Sequence, residues 1–141
     1  MLNNKYMMYK QTYKDFVILI QSGSFYVTFG DDALILNNLF SYKIKTLGNN
    51  IKAGFPINIL NKITTFLNKC EINYIVISNN DDIVDKRNEK INKYKDYINN
   101  GYELSINRIN KINEVLKNNL SKKNINDILT KIEDIICTIN F

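Results

Sequence analysis

There is no histidine in this 141-residue chain. That absence removes Ser-His-Asp and Cys-His nucleophilic catalysis, histidine metal sites and a histidine general base. No Gly-x-x-x-x-Gly-Lys segment occurs, so no phosphate loop of that kind is expected. Cysteine is limited to Cys70 and Cys137. They lie far apart without metal-ligand spacing and read as buried thiols. Long hydrophobic runs are missing as well. The longest is "FVILI" at 16–20, which suits a buried strand and is far too short to cross a bilayer. The opening "MLNNKYMMYK" has no apolar core of the signal-peptide type. These absences lead to the expectation of a cytoplasmic protein that is not an enzyme and takes no cofactor.

What is present describes a globular chain. Hydrophobic residues make up 45% and charged residues 23%, a balance that supports a packed core. The formal net charge of +5 suits an anionic partner. The excess is uneven: residues 1–78 carry 8 lysines against 4 acids, and residues 79–141 carry 11 bases against 10 acids. Attraction to nucleic acid therefore belongs mainly to the first half.

Along the chain, "NNKYMMYKQTYK" at 3–14 has helical spacing, with Asn3 or Asn4 as a cap. "FVILIQS" reads as a buried strand, Gly23 as a turn, and 24–29 as its hairpin partner. Gly30 ends that strand. Asp31 is placed to cap a helix carrying Ala33, Leu36 and Phe40 on one face. "YKIKTL" and "NIKAGFP" read as strands joined at Gly48-Asn49-Asn50, and Pro56 suits the first turn of a helix with a Leu60, Ile63, Leu67, Cys70 stripe. "INYIVIS" is apolar on both faces, as a central strand is. Beyond Asn80 the spacing becomes heptad-like. Val84, Ile91, Tyr94 and Ile98 form one stripe. Leu104 or Ser105, Ile109, Ile112 and Leu116 form a second. A third, broad stripe runs through Ile125, Ile128, Leu129, Ile132, Ile135, Ile136 and Ile139. The fold class expected is mixed α/β: a sheet flanked by helices over 1–78, then a helical extension over 79–141. The last stripe is wider than one neighbouring helix needs, so residues 104–139 are expected to supply a self-association or partner interface, with a helical layer over the chain's own core as the alternative.

The stretch "KYMMYKQTYKDFVILIQSGSFYVTFGDDA" resembles the start of the N-terminal mismatch-binding domain of MutS proteins (MutS domain I). That family runs from a helix to an apolar strand, a Gly-Asp-Phe-Tyr-Glu strand and a turn ending in Asp-Ala. "AGFP" at 53–56 is similar to the family's Ala-Gly-Val-Pro segment. The resemblance implies that Phe25 stands where the family places a wedge phenylalanine, which enters the minor groove and stacks on a mispaired base at a kink. In the family, a glutamate two residues on hydrogen-bonds that base. Here the position is Val27, and the preceding aspartate is replaced by Ser24. This departure is similar to the eukaryotic MutS-like subunit whose domain does not read the mismatch.

Read from the residues alone, Phe25, Val27 and Phe29 share one strand face and suit a core. Asp31 and Asp32 suit a helix cap, with a metal pair as the alternative. Lys43, Lys45 and Lys52 are either phosphate contacts or a solvated strand face. The "AGFP" loop, Gly54 to Pro56 with Phe55 at its centre, lies beside the groove if it follows the family, and is otherwise a turn into a helix. A full MutS protein continues into a connector, a clamp and an ATPase, of which no pattern is seen. The expected function is a non-enzymatic nucleic-acid-binding accessory module for duplex DNA or an RNA–DNA hybrid. Small MutS-like proteins accompany diversity-generating reverse transcriptases, so such a complex or a DNA repair complex is the expected setting. The alternative is a protein-interaction adaptor that has lost nucleic-acid binding.

Overall fold

A computed structural model describes residues 2–98 and 101–139. The chain runs α1 (Leu2–Thr12), β1 (Val17–Ser22), β2 (Phe25–Phe29), α2 (Gly30–Phe40), β3 (Lys45–Leu47) and β4 (Asn50–Pro56). A 3-10 turn (Ile57–Ile59) then leads to α3 (Leu60–Lys69), β5 (Tyr74–Ile77), β6 (Ile83–Arg87) and a second 3-10 turn (Tyr94–Tyr97). The helices α4 (Gly101–Asn118) and α5 (Ile125–Thr138) close the sequence. The six strands form one mixed sheet in the order β3-β4-β2-β1-β5-β6. Among the described residues only β1 and β5 pair in parallel, in register from Val17 opposite Tyr74 to Ile20 opposite Ile77.

Alternation along the strands sorts the core into two layers. On one face Ile18, Ile20, Val27, Phe29, Ile75 and Ile77 pack beneath Tyr6 of α1. On the other, Val17, Leu19, Tyr26, Ala53, Phe55, Tyr74 and Val76 pack against α2 and α3. β1 and β5 are buried on both faces, which accounts for their uninterrupted apolar sequences. The β1–β2 hairpin is closed by Gly23 and Ser24, with Ser22 opposite Phe25. Gly23 has φ +59°, the left-handed conformation that a two-residue hairpin turn requires and glycine adopts without strain.

Three expectations are corrected. Residues 79–98 are not helical. Ile83 to Arg87 pair antiparallel with β5, and Tyr94 lies buried on a 3-10 turn. The compact units are accordingly Met1–Gly101 and Tyr102–Phe141, rather than 1–78 and 79–141. The spacing of Val84, Ile91 and Tyr94 is helix-like by coincidence: Val84 lies exposed on the edge strand, Ile91 in the segment after it, and Tyr94 in the core on the 3-10 turn. Second, α2 begins at Gly30 with no side-chain cap, and Asp31 lies exposed in its first turn, where a carboxylate still meets the positive end of the helix dipole. Third, Cys70 is half-buried and Cys137 exposed, the latter on the side of α5 away from its isoleucine stripe.

Asp32 is the polar centre of the first unit and is fully buried. Its Oδ1 accepts from Lys10 Nζ at 2.7 Å and from the Tyr94 hydroxyl. Its Oδ2 accepts from the Tyr6 hydroxyl at 2.8 Å and the Ile18 amide at 3.0 Å. Burial pushes the carboxyl above the ordinary aspartate range, opposed by Lys10, Tyr94 and the Ile18 amide. Burial and the adjacent carboxylate also raise both tyrosine hydroxyls, which therefore stay protonated donors. One acid thus ties α1, β1, α2 and the second 3-10 turn together, and its oxygens are taken up by donors within the fold.

Candidate nucleic-acid interface

β2 begins with an exception to its own burial. Tyr26, Val27, Thr28 and Phe29 are buried, whereas Phe25 is 51% exposed. The cause is position. Phe25 follows the hairpin turn directly and pairs with Ser22 on one side and Pro56 on the other, at the ends of β1 and β4. The core face shared by Val27 and Phe29 therefore gives out at Phe25.

The neighbouring strands extend that face. In β4, Lys52 lies opposite Phe29 and Gly54 opposite Val27, and in β3 Lys45 lies opposite Lys52. Since opposed residues point to the same side of a sheet, Phe25, Val27, Gly54, Lys52 and Lys45 share one surface. They line a cleft of about 330 Å³, joined by Ser22, Lys43 and Ala53. Val27 and Gly54 face each other across the ladder. Gly54 has no room for a side chain: a Cβ would stand 2.9 Å from the Tyr26 carbonyl oxygen and 3.3 Å from Val27 Cγ1. Lys43 and Lys45 are exposed and Lys52 half-buried. The lining contains three cations and no carboxylate. A surface with that composition attracts anions at long range and offers a ring and an apolar floor at contact.

The sequence that builds this helix, hairpin and aromatic-tipped strand has a match. The sequence model of MutS domain I covers residues 1–132. The chain belongs to the MutS domain I family. No curated protein matches it in sequence. Within this MutS-like mismatch-recognition domain, five of the six residues expected at the nucleic-acid site, Phe25, Val27, Lys43, Lys45 and Lys52, meet at one cleft. Phe55 does not. It is 1% exposed, stacked on Tyr42 at 6.0 Å on the opposite face of the sheet, because odd-numbered β4 residues point into the core. Val27 is 4% exposed and forms floor rather than rim. The reading of Phe25 as core is likewise corrected, while Val27 and Phe29 on the same face are core. Gly54, expected beside the groove, does line the cleft, whereas Ser22 was missed. Its pairing with Phe25 in the β1–β2 ladder would have found it, once the register was known.

In the second unit, the isoleucines singled out for an interface divide. Ile125 is buried at the start of α5, and Ile132 is half-buried. Ile128, Ile135, Ile136 and Ile139 are exposed, as are Ile109, Ile112 and Val115 of α4. Leu104 and Ser105 lie outside the residues whose side chains are described. Among the described residues no helix is long and apolar enough to cross a membrane.

Proposed function

We propose that this MutS domain I protein is a non-enzymatic, cytoplasmic nucleic-acid-binding accessory module. It engages duplex DNA or an RNA–DNA hybrid through the Phe25 cleft. Its C-terminal helices attach it to a larger DNA repair or diversity-generating reverse-transcriptase complex. The observation that carries this reading is an exposed phenylalanine on the same sheet face as Lys43, Lys45 and Lys52, with no acid among the lining residues. The lysines neutralise phosphates and release counterions, which supplies affinity without sequence information. Phe25 supplies an apolar surface that gains by entering a groove or stacking on a base. Val27 offers no acceptor to a base, so the module binds without strong discrimination of mispairs.

The test is a salt series on duplex, mispaired duplex, single-stranded DNA and RNA–DNA hybrid. With three lysines engaged, log affinity should fall against log salt with a slope near about −3, and mispaired duplex should gain less than about tenfold over paired. Flat salt dependence on all four ligands would remove the nucleic-acid reading. A large mismatch preference would remove the role given to Val27. The second reading is a protein-interaction adaptor, favoured by the exposed isoleucines of α4 and α5. It predicts no salt-dependent nucleic-acid binding together with an intact protein complex.

A further inference from the structure

Lys45 and Lys52 stand directly opposite each other in the β3–β4 ladder. Like charges so placed repel and weaken a strand pair. Lys43 joins them at the cleft, and no carboxylate does. Among the described residues the lysines in ion pairs are Lys5, Lys10, Lys93 and Lys95, so none of the three cleft lysines is neutralised there. An opposed pair left open in this way is relieved by an anion seated between its ammonium groups.

The same cleft limits what brings that anion. It encloses about 330 Å³, room for one nucleotide rather than for a base pair. Phe25 lines it on one side, over a floor of Val27 and Gly54. Lys52 faces Phe29, four residues along β2 from Phe25, which is about 14 Å of strand. The four-carbon stem of the lysine covers part of that span. One nucleotide covers the rest, with its base at the ring and its phosphate at the ammonium group.

Magnitudes decide whether that base is paired. Stacking one base on one ring is worth between about fivefold and about 150-fold in affinity. Unstacking a step of paired duplex costs an amount of the same order. Val27 supplies no acceptor to add to the gain. A paired base therefore returns nothing net, whereas a base already unpaired keeps the whole gain.

We infer that the cleft is a site for one unpaired nucleotide of a single strand, its phosphate held between Lys45 and Lys52 and its base stacked on Phe25. The inference rests on the nucleic-acid reading of the cleft and narrows it: a duplex or hybrid that has a single-stranded tail is held by the tail.

Fluorescence anisotropy of the full chain tests this with a blunt duplex, the same duplex with a single-stranded tail of about six nucleotides, and the tail strand alone. The tail should raise affinity over the blunt duplex by at least about tenfold. An abasic tail, with the same phosphates and no bases, should lose that gain. Phe25→Ala should bring the tailed duplex down to the level of the blunt one, and Phe25→Trp should keep the difference. Lys45→Gln with Lys52→Gln should lower the salt slope on the single strand by about 1.4, while the melting temperature stays level or rises because the opposed charges are gone. Blunt and tailed duplexes bound alike, an abasic tail as good as a complete one, or a salt slope indifferent to the lysine pair would each overturn the inference. Salt-dependent binding of the blunt duplex with no gain from the tail overturns it alone and leaves the nucleic-acid reading standing. Absence of salt dependence on every probe removes that reading, and this inference with it.

Discussion

Phe25 and Asp32 lie seven residues apart and are opposite in kind. Phe25 begins a strand whose other residues are all buried, yet it stands half in water. Little packing is lost by truncating it, so Phe25→Ala should shift stability by no more than about 0.5 kcal/mol, as at other surface positions. If its ring stacks on a base, the same change should weaken nucleic-acid binding by about 1–3 kcal/mol. Thermal melts beside titrations separate these. A melting loss on the scale of a core cavity, about 3–5 kcal/mol, would return Phe25 to the interior. Asp32 acts in the fold. Removing its charge in Asp32→Ala strands Lys10, 18% exposed at its side chain, beside two tyrosine hydroxyls, and should cost about 3–5 kcal/mol. The pH dependence has a definite sign. An acid whose pKa is raised on folding binds its proton more tightly in the native state, so its contribution is greatest below the ordinary value of 3.8 and falls as pH rises through the window above it. Urea unfolding of the native protein and Asp32→Asn between acid and neutral pH should therefore show their stability difference moving against the native protein as pH rises. Movement the other way would mean that the Lys10 interaction outweighs burial.

At the scale of elements, β6 is where the sheet and the chain's periodicity part company. Its residues are held by main-chain pairing to β5 and by Arg87, whose Nη1 donates to Asn73 Oδ1 at 2.5 Å and to the Ile91 carbonyl at 2.9 Å. Asn73 is buried, so Arg87→Ala weakens a buried acceptor's satisfaction and should destabilise the first unit by about 1–3 kcal/mol, read as an earlier urea midpoint. No change would mean that the Glu89 amide alone, at 3.1 Å, satisfies it. None of this is visible in "IVDKR", which has neither the alternation of a half-buried strand nor the apolar run of a central one. β1, β2, β4, β5 and α3 were legible because each has a face or a pair of faces to bury, and burial imposes period. Phe25 and Val27 were legible as one face, but not as one exposed and one buried. That difference depends on where β1 and β4 end, a matter of register between distant segments. Phe55 misled for a related reason: the strand was legible, but its parity, which turns the Phe55 ring inward while Lys52 and Gly54 face the cleft, follows only from register with β2.

For the whole molecule, the decisive boundary is Gly101 rather than residue 78. Residues 1–101 carry 13 bases and 9 acids, so the positive balance that attracts nucleic acid stays with the sheet, while 102–141 carry 6 and 5. A chain cut at residue 80 would lose β6, leaving fully buried β5 as a bare edge with unpaired main-chain groups. It would also lose Tyr94, one of the donors to Asp32, and Asn92, whose side chain donates to the Asp15 carbonyl at 2.7 Å and accepts from the Asn73 amide at 2.9 Å. A chain cut at 101 keeps all of these. Residues 1–101 should therefore unfold in one cooperative transition near that of the full chain, and keep the salt dependence of single-site nucleic-acid binding. Residues 1–80 should aggregate or melt without cooperativity. Calorimetry of the two truncations beside the full chain decides it. A cooperative 1–80 fragment would make β6 and the second 3-10 turn an addition to the domain, whereas a 1–101 fragment that cannot fold would make the C-terminal helices part of what holds the sheet together.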